Sequence, residues 1–337
     1  METLYYSFII PVYNRPDEIK ELLESLNNLE QSVSFEVVIV EDGSTLDCKA
    51  VVDNFKHELK ISYYYKPNTG PGDSRNYGMS MAKGNYFIIL DSDCVLPKQY
   101  LKIVNTFLLD DYVDCYGGPD AAHVSFSNLQ KAINFAMTSF ITTGGIRGSK
   151  ANNKKFQPRS FNMGLSKNAF IASGGFGNIH PGEDPDLSIR LVNLGFETKL
   201  ISDAFVYHKR RISWRKFYNQ VYKFGLVRPI LNFWHPETER MIFWFPTVFS
   251  LGFIIAIIAL FFYYNKLFLC YLIYLVIAFI LALYRTKSLS VALNAIFAIF
   301  IQFFGYGFGF LKSTFAIKIL NKDPKRYFSD LFFNHAN

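Results

Sequence analysis

Tyr5-Tyr6-Ser7-Phe8-Ile9-Ile10-Pro11-Val12 is an apolar run of strand length, followed at once by Tyr13-Asn14-Arg15-Pro16. A continuous apolar stretch of this kind suits a strand buried on both faces. Pro16 suits the first turn of a helix, and Ile19, Leu22, Leu23 and Leu26 then recur on one helical face. The unit repeats outward from there. Phe35–Val40, Ile61–Tyr65 and Tyr86–Leu90 read as further strands, with helical segments between them. Short apolar strands alternating with amphipathic helices predict an α/β domain: a mostly parallel sheet covered on both faces.

Polar motifs fall where these strands end. Pro11-Val12-Tyr13-Asn14 closes the first, Glu41-Asp42-Gly43-Ser44 the second, and Asp91-Ser92-Asp93 the fourth. Ligands of open α/β sheets bind outside the carboxyl ends of strands, so one site built from several loops is expected there. Two carboxylates two residues apart, Asp91 and Asp93, can hold a hard divalent cation against a diphosphate, because Mg²⁺ and Mn²⁺ prefer oxygen ligands. Taken alone, the triplet also reads as a polar loop leading to a helix near Pro97. Asp42 can hydrogen-bond a nucleoside, or belong to an ordinary Asp-Gly turn. Asn68-Thr69-Gly70-Pro71-Gly72-Asp73-Ser74-Arg75-Asn76-Tyr77-Gly78 joins a glycine-rich turn to a helix, and its glycines permit close backbone approach to a ligand.

Further on, His180-Pro181-Gly182-Glu183-Asp184-Pro185-Asp186 precedes a helix with Leu187, Leu191 and Leu194 on one face. By itself, Asp184 before Pro185 reads as a helix N-cap. A base role is compatible with that, since one carboxylate oxygen can cap while the other faces a substrate. His208 can offer a neutral imidazole to a metal, or be a half-buried strand-end histidine. There is no Gly-x-x-x-x-Gly-Lys-Ser/Thr loop and no Gly-x-Ser-x-Gly elbow, which leaves P-loop NTPase and α/β-hydrolase readings without support.

In this order, the motifs resemble family 2 glycosyltransferases, inverting enzymes of the Rossmann-like GT-A fold. The resemblance covers roughly residues 5–225. It implies a nucleotide-diphosphate-sugar donor, most naturally a UDP-sugar, and Mn²⁺ or Mg²⁺ as cofactor. By that resemblance Pro11 and Asp42 line the nucleoside pocket, Arg75 lies on the nucleotide side and Asp91 lies toward the ribose. Tyr13, Asn14, Asn68, Gly70, Ser92 and Glu183 join them in donor binding. Asp93 binds the metal, His208 completes the metal site and Asp184 is the catalytic base. Phe161-Asn162-Met163-Gly164 and Gly174-Gly175-Phe176 look like the region where acceptor and donor sugar meet. The Gln-x-x-Arg-Trp motif of processive synthases is missing, since Gln220-Val221-Tyr222-Lys223-Phe224 lacks Arg-Trp. Transfer of a single sugar to a membrane-associated acceptor, such as a lipid-linked saccharide, is therefore expected. A polyprenyl-phosphate glycosyltransferase and a non-catalytic nucleotide-sugar-binding subunit are the alternatives.

Composition divides the chain in two. Of its 337 residues 50% are hydrophobic, but the part beyond about residue 240 is almost wholly apolar. Phe243–Tyr264, Leu267–Tyr284 and Leu289–Leu311 carry no charge. At about 1.5 Å per residue, each approaches or exceeds a hydrocarbon core of about 30 Å. The expected organisation is a catalytic domain over 1–228, an interfacial linker over 229–242, a membrane region over 243–311 and a basic tail over 312–337. Lys209, Arg210, Arg211, Arg215, Lys216, Lys223 and Arg228 crowd a window free of Asp and Glu. Beside a membrane region they suit an anionic cytoplasmic leaflet, at about 1 kcal/mol per basic residue. No nucleic-acid motif accompanies them, so nucleic acid is not an expected partner. Met1–Ser7 does not read as a cleaved signal peptide, and Cys48, Cys94, Cys115 and Cys270 form no disulfide or zinc pattern. Both point to a cytosolic catalytic domain on the inner membrane. Three full spans would carry the basic tail across the membrane, against the charge rule. A re-entrant or interfacial element at Gly305-Tyr306-Gly307-Phe308-Gly309 would resolve this.

Overall fold

The structure, a computed structural model, describes residues 3–30, 33–121, 126–144, 156–208 and 213–333. Lys209, Arg210 and Arg211 of the basic window lie outside the described residues. The opening run forms β1 (Tyr6–Val12), followed by α1 (Pro16–Asn27), β2 (Phe35–Asp42), α2 (Lys49–Phe55), β3 (Ile61–Lys66), α3 (Pro71–Met81) and β4 (Tyr86–Leu90). Next come β5 (Cys94–Val95), α4 (Tyr100–Asp110), β6 (Cys115–Gly117), β7 (Asp120–Ala121), α5 (Asn128–Thr138) and α6 (Phe140–Thr143). Then follow β8 (Asn162–Ser166), α7 (Lys167–Ser173), α8 (Glu183–Asn193), β9 (Thr198–Leu200) and β10 (Val206–His208). The remaining helices are α9 (Trp214–Trp234), α10 (Phe245–Leu260), α11 (Lys266–Thr286), α12 (Leu289–Thr314) and α13 (Pro324–Tyr327).

The chain groups into two compact units. The first takes residues 1–123, 150–208 and 330–337, and the second takes 124–149 and 209–329. This grouping is not a single cut at residue 228: α9 goes with the apolar helices, and the last residues return to the first unit.

In the first unit a seven-stranded sheet runs in the order β3-β2-β1-β4-β8-β6-β9. β1, β2, β3 and β4 are parallel, and β8 lies antiparallel between β4 and β6. A smaller sheet, β5-β10-β7, sets His208 opposite Cys94. β1, β2 and β4 are largely apolar because both of their faces are covered. Phe8, Ile10, Val37 and Ile39 pack on one side with Ile19, Leu22, Leu23 and Leu26 of α1. Ile9, Val38 and Val40 pack on the other with Met79, Leu187 and Leu191. Each such fully buried side chain contributes about 1.5–3 kcal/mol. Since β1, β2 and β4 are parallel, their carboxyl ends bring residues 13–14, 41–46 and 91–93 to one edge.

Among the described residues of the second unit, three helical stretches are long and apolar enough to cross a membrane by length and composition: Met241–Leu260, Lys266–Thr286 and Leu289–Ile319. The expected re-entrant turn is not formed. Gly305, Gly307 and Gly309 lie inside the continuous α12, buried. Their role is close helix packing. A Cβ at Gly309 or at Gly225 would strike backbone of the facing helix, α9 or α12, and one at Gly305 would meet Val221. Small residues permit this approach between apolar helices. α5 belongs here too, packing Ala132, Ile133 and Ala136 with Ala292, Ala295 and Ala298.

Candidate active site

The loops at the carboxyl ends of β1, β2 and β3 are tied to one another by short polar contacts. Asn14 adopts a left-handed backbone, φ 53°, which Asn tolerates better than most residues. Its Oδ1 accepts from the backbone N–H groups of Thr45 and Leu46, both at 2.9 Å, and its own N–H donates to Ser44 Oγ at 2.7 Å. Asp42 is buried and accepts from Lys66 Nζ at 2.7 Å and from the N–H groups of Thr69 and Gly70 at 3.0 Å. Glu41, fully buried, accepts from Cys48 N–H at 2.9 Å, from Tyr63 at 3.1 Å and from Ser44. Asp42 therefore fastens the 66–70 loop to the end of β2, while Glu41 braces the turn from beneath. Tyr13 is 52% exposed and presents an aromatic face at this edge. Asn68 is exposed, Pro11 is half-buried within β1, and Ser92 is buried.

Arg75 forms the next layer. Its side chain is 3% exposed and bridges Asp91 Oδ1 at 2.7 Å and Glu183 Oε1 at 2.9 Å. The guanidinium also lies over the Phe176 ring, 5.3 Å from its centre. Glu183 receives a second partner in His180 Nδ1 at 3.1 Å. Burial alone would raise the Glu183 carboxyl, but His180 and then Arg75 outweigh it and hold the group well below the usual carboxylate range. Asp91, Arg75 and Glu183, far apart in sequence, thus become one charge chain joining α3 to the start of α8.

Asp93 and His208 also meet. His208 Nε2 stands 3.1 Å from Asp93 Oδ1, and Arg15 pairs with Oδ2. Burial would raise the Asp93 carboxyl; His208 and Arg15 override it and hold it well below the usual range. Oδ1 is buried, yet no donor is aligned on it for a hydrogen bond. A buried carboxylate oxygen left this way, with an imidazole nitrogen beside it, fits a divalent cation. The Cys94 thiol belongs to the same cluster, all ligand atoms lying within 4.8 Å of one another. Burial holds that thiol far above its usual range, so it stays protonated, and only the carboxylate and imidazole are suited to a hard cation. The ring of His208 stacks on Phe161 at 4.9 Å.

Asp184 does not cap its helix. α8 begins at Glu183, two residues earlier than Pro185 implies, and Gly182 takes the N-cap position with φ 121°, which glycine adopts without strain. Asp184 therefore sits in the first turn, where the positive helix end favours negative charge. Its Oδ2 lies 3.5 Å from Arg159 Nη1, and its side chain is 15% exposed. Arg159 and Phe161 lie on one short segment, so the neighbour of Asp184 and the neighbour of His208 are two residues apart.

Asn162, Met163 and Gly164 are buried in β8, because that strand is inserted between β4 and β6; a Cβ at Gly164 would enter the Tyr116 ring. At Gly70 the room left by the absent side chain is filled by the Phe333 ring. Sequence reading did not single out Arg15 as a partner of Asp93, nor Arg159, Lys66, Cys94 or Phe333. Arg15 alone had a usable signal, as it follows Asn14 at the end of β1.

The family model described as glycosyl transferase family 2 matches residues 7–176. The chain is 34% identical over 112 residues to the poly(ribitol-phosphate) beta-N-acetylglucosaminyltransferase TarS of Staphylococcus aureus, covering 32% of this chain and 20% of that protein. It is 35% identical over 114 residues to the abequosyltransferase RfbV of Salmonella typhimurium, covering 33% of this chain and 34% of that one. The chain thus spans about a third or less of the length of these curated relatives. Among solved structures, the mannosyltransferase PcManGT of Pyrobaculum calidifontis, in complex with GDP-Man and Mn²⁺, superposes with TM-score 0.54. That similarity covers 94% of this chain and 88% of the other at 14% identity, a likeness of fold.

Proposed function

The chain belongs to glycosyl transferase family 2, and on that premise we propose that it transfers one sugar from a nucleotide-diphosphate sugar to a hydroxyl of a membrane-associated acceptor, with inversion. The observation that carries the reading is the largely buried Asp93 carboxylate with the His208 imidazole 3.1 Å from its Oδ1, at the end of the sheet where the Asp42 loop also lies.

Asp93 and His208 would hold Mn²⁺ or Mg²⁺, which would supply stabilisation of the charge that develops on the departing diphosphate. The nucleoside lies against Pro11, Tyr13 and the Asp42 loop. The Arg75 bridge keeps Asp91 toward the ribose and Glu183 at the start of α8. Asp184 takes the proton from the acceptor hydroxyl. The acceptor oxygen forms its bond to the anomeric carbon from the face opposite the diphosphate. The bond to the diphosphate oxygen breaks, and the nucleoside diphosphate leaves with the electron pair.

The names of TarS, an N-acetylglucosaminyltransferase, and PcManGT, in complex with GDP-Man, favour a nucleotide-linked hexose or N-acetylhexosamine as donor. The three apolar helices favour a lipid-linked saccharide as acceptor and an inner-membrane location with the catalytic unit in the cytosol. The remaining basic residues Arg215, Lys216, Lys223 and Arg228 support contact with an anionic leaflet.

The metal assignment is tested by calorimetric titration of nucleotide sugar into the purified full chain, with and without Mn²⁺. Asp93→Ala and His208→Ala are each expected to weaken Mn²⁺-dependent donor binding by about 10–100-fold. Equal donor affinity with and without metal in the wild type would remove the metal from the reading.

A further inference from the structure

Residues 331–333 follow the apolar helices in sequence yet belong to the first unit. They lie along residues 178–180. Ile179 bridges antiparallel to Phe332, His180 N–H donates to Leu331 O at 2.8 Å, and Phe333 N–H donates to Asn178 O at 2.9 Å. The Asn178 side-chain amide adds a bond to Phe333 O at 3.3 Å. Leu331 is fully buried, which anchors the strap. Beyond it, the Phe333 ring covers Gly70, and its centre lies 6.2 Å from that of His180.

Both neighbours of that ring lead into the donor layers. Gly70 N–H is bound by Asp42. His180 holds Glu183, which holds Arg75, which holds Asp91. Gly70 is the N-cap of α3, the helix that carries Arg75, and His180 lies on a separate segment just before α8. A Cβ at residue 70 would fall within the Phe333 ring, so the glycine is needed for this seating as well as for its φ of 94°.

We propose that the strap Leu331–Phe333 is a structural part of the donor site, and that Phe333 is a positioning residue that clamps the Asp42–Gly70 loop to the His180–Glu183–Arg75–Asp91 chain. The inference rests on the donor-site reading above. An aromatic ring shared by two loops fixes their separation. Losing it lets the nucleoside side and the ribose side drift apart, and a misplacement of about 1 Å in a positioning contact can cost on the order of 10²-fold.

The test uses the full chain in detergent or membranes and the nucleotide sugar that the wild type turns over fastest from a panel of UDP-hexoses and GDP-mannose. Phe333→Ala is expected to raise the donor KM roughly tenfold to a hundredfold while kcat changes little, and Phe333→Leu, which keeps apolar bulk, recovers most of the loss. Donor binding to the wild type should also slow hydrogen exchange at the Phe333 and His180 amides. Unchanged donor KM in Phe333→Ala overturns the clamp, as does a lower KM, which would make the ring a plug. A loss confined to kcat, or unaltered exchange at both amides, overturns it as well. A wild type that turns over no nucleotide sugar removes the donor-site reading itself.

Discussion

Asp184→Asn is expected to slow sugar transfer by about 10²–10⁴-fold while leaving donor affinity nearly unchanged. The amide keeps the size of the carboxylate and can still accept from Arg159, whose Nη1 lies 3.5 Å from Oδ2. It cannot take a proton at the pH of the reaction. Because Asp184 is not the helix cap, the substitution does not remove an N-terminal capping bond; Gly182 occupies that position. The usual structural penalty of replacing a cap, about 0.5–2 kcal/mol, does not arise. Single-turnover transfer with bound donor separates the two effects. Wild-type rates in the variant would assign the base elsewhere, and weakened donor binding would make Asp184 a donor ligand.

Arg75→Met should produce the largest loss of stability of any single change in the site. Arg75 is buried, and its two carboxylate partners differ in exposure. Glu183 has a side chain 4% exposed, whereas Asp91 is 33% exposed. Removing the guanidinium strands the Glu183 charge in the interior with only His180 beside it. Breaking a buried pair from one side costs about 3–5 kcal/mol. The Asp91 share is small, since a partly solvated partner is screened. Arg75→Lys is expected to recover only part of the loss, because an ammonium cannot span two carboxylates as a planar fork does. Denaturant unfolding of the full chain in detergent, followed by near-ultraviolet signals, reads this directly. A shift below about 1 kcal/mol for Arg75→Met would show that the charge chain is not a structural hub.

The sheet was legible because β1, β2 and β4 are largely apolar on both faces and each is followed by a polar motif. Phe8, Ile9 and Ile10 alternate between the two cores, so the run at residues 5–12 had to be a central strand. The carboxyl-end motifs followed from parallel strands alone. The partners of the site residues were not legible. Arg75 and Glu183 are 108 residues apart, and Arg15 and Asp93 are 78 apart. No local periodicity encodes such pairs. The Asp184-Pro185 pattern misled because a positive-φ glycine at 182 starts the helix two residues earlier. The glycines of α12 invited a turn, whereas against a facing helix their absent side chains serve packing. Phe333 carries no signal in its neighbours, and only the return of the chain to residues 178–180 gives it a place.

The central claim, that the Asp93–His208 pair and Asp184 serve sugar transfer from a nucleotide sugar, is tested most directly in membranes containing the full chain. They are supplied with Mn²⁺, a panel of nucleotide sugars labelled in the sugar, and isolated lipid-linked saccharides. The prediction is that one donor moves label into the lipid-extractable fraction, one sugar per acceptor, with an equal amount of nucleoside diphosphate released and the anomeric configuration inverted. Release of no nucleoside diphosphate from any donor, or transfer with retention of configuration, would contradict it.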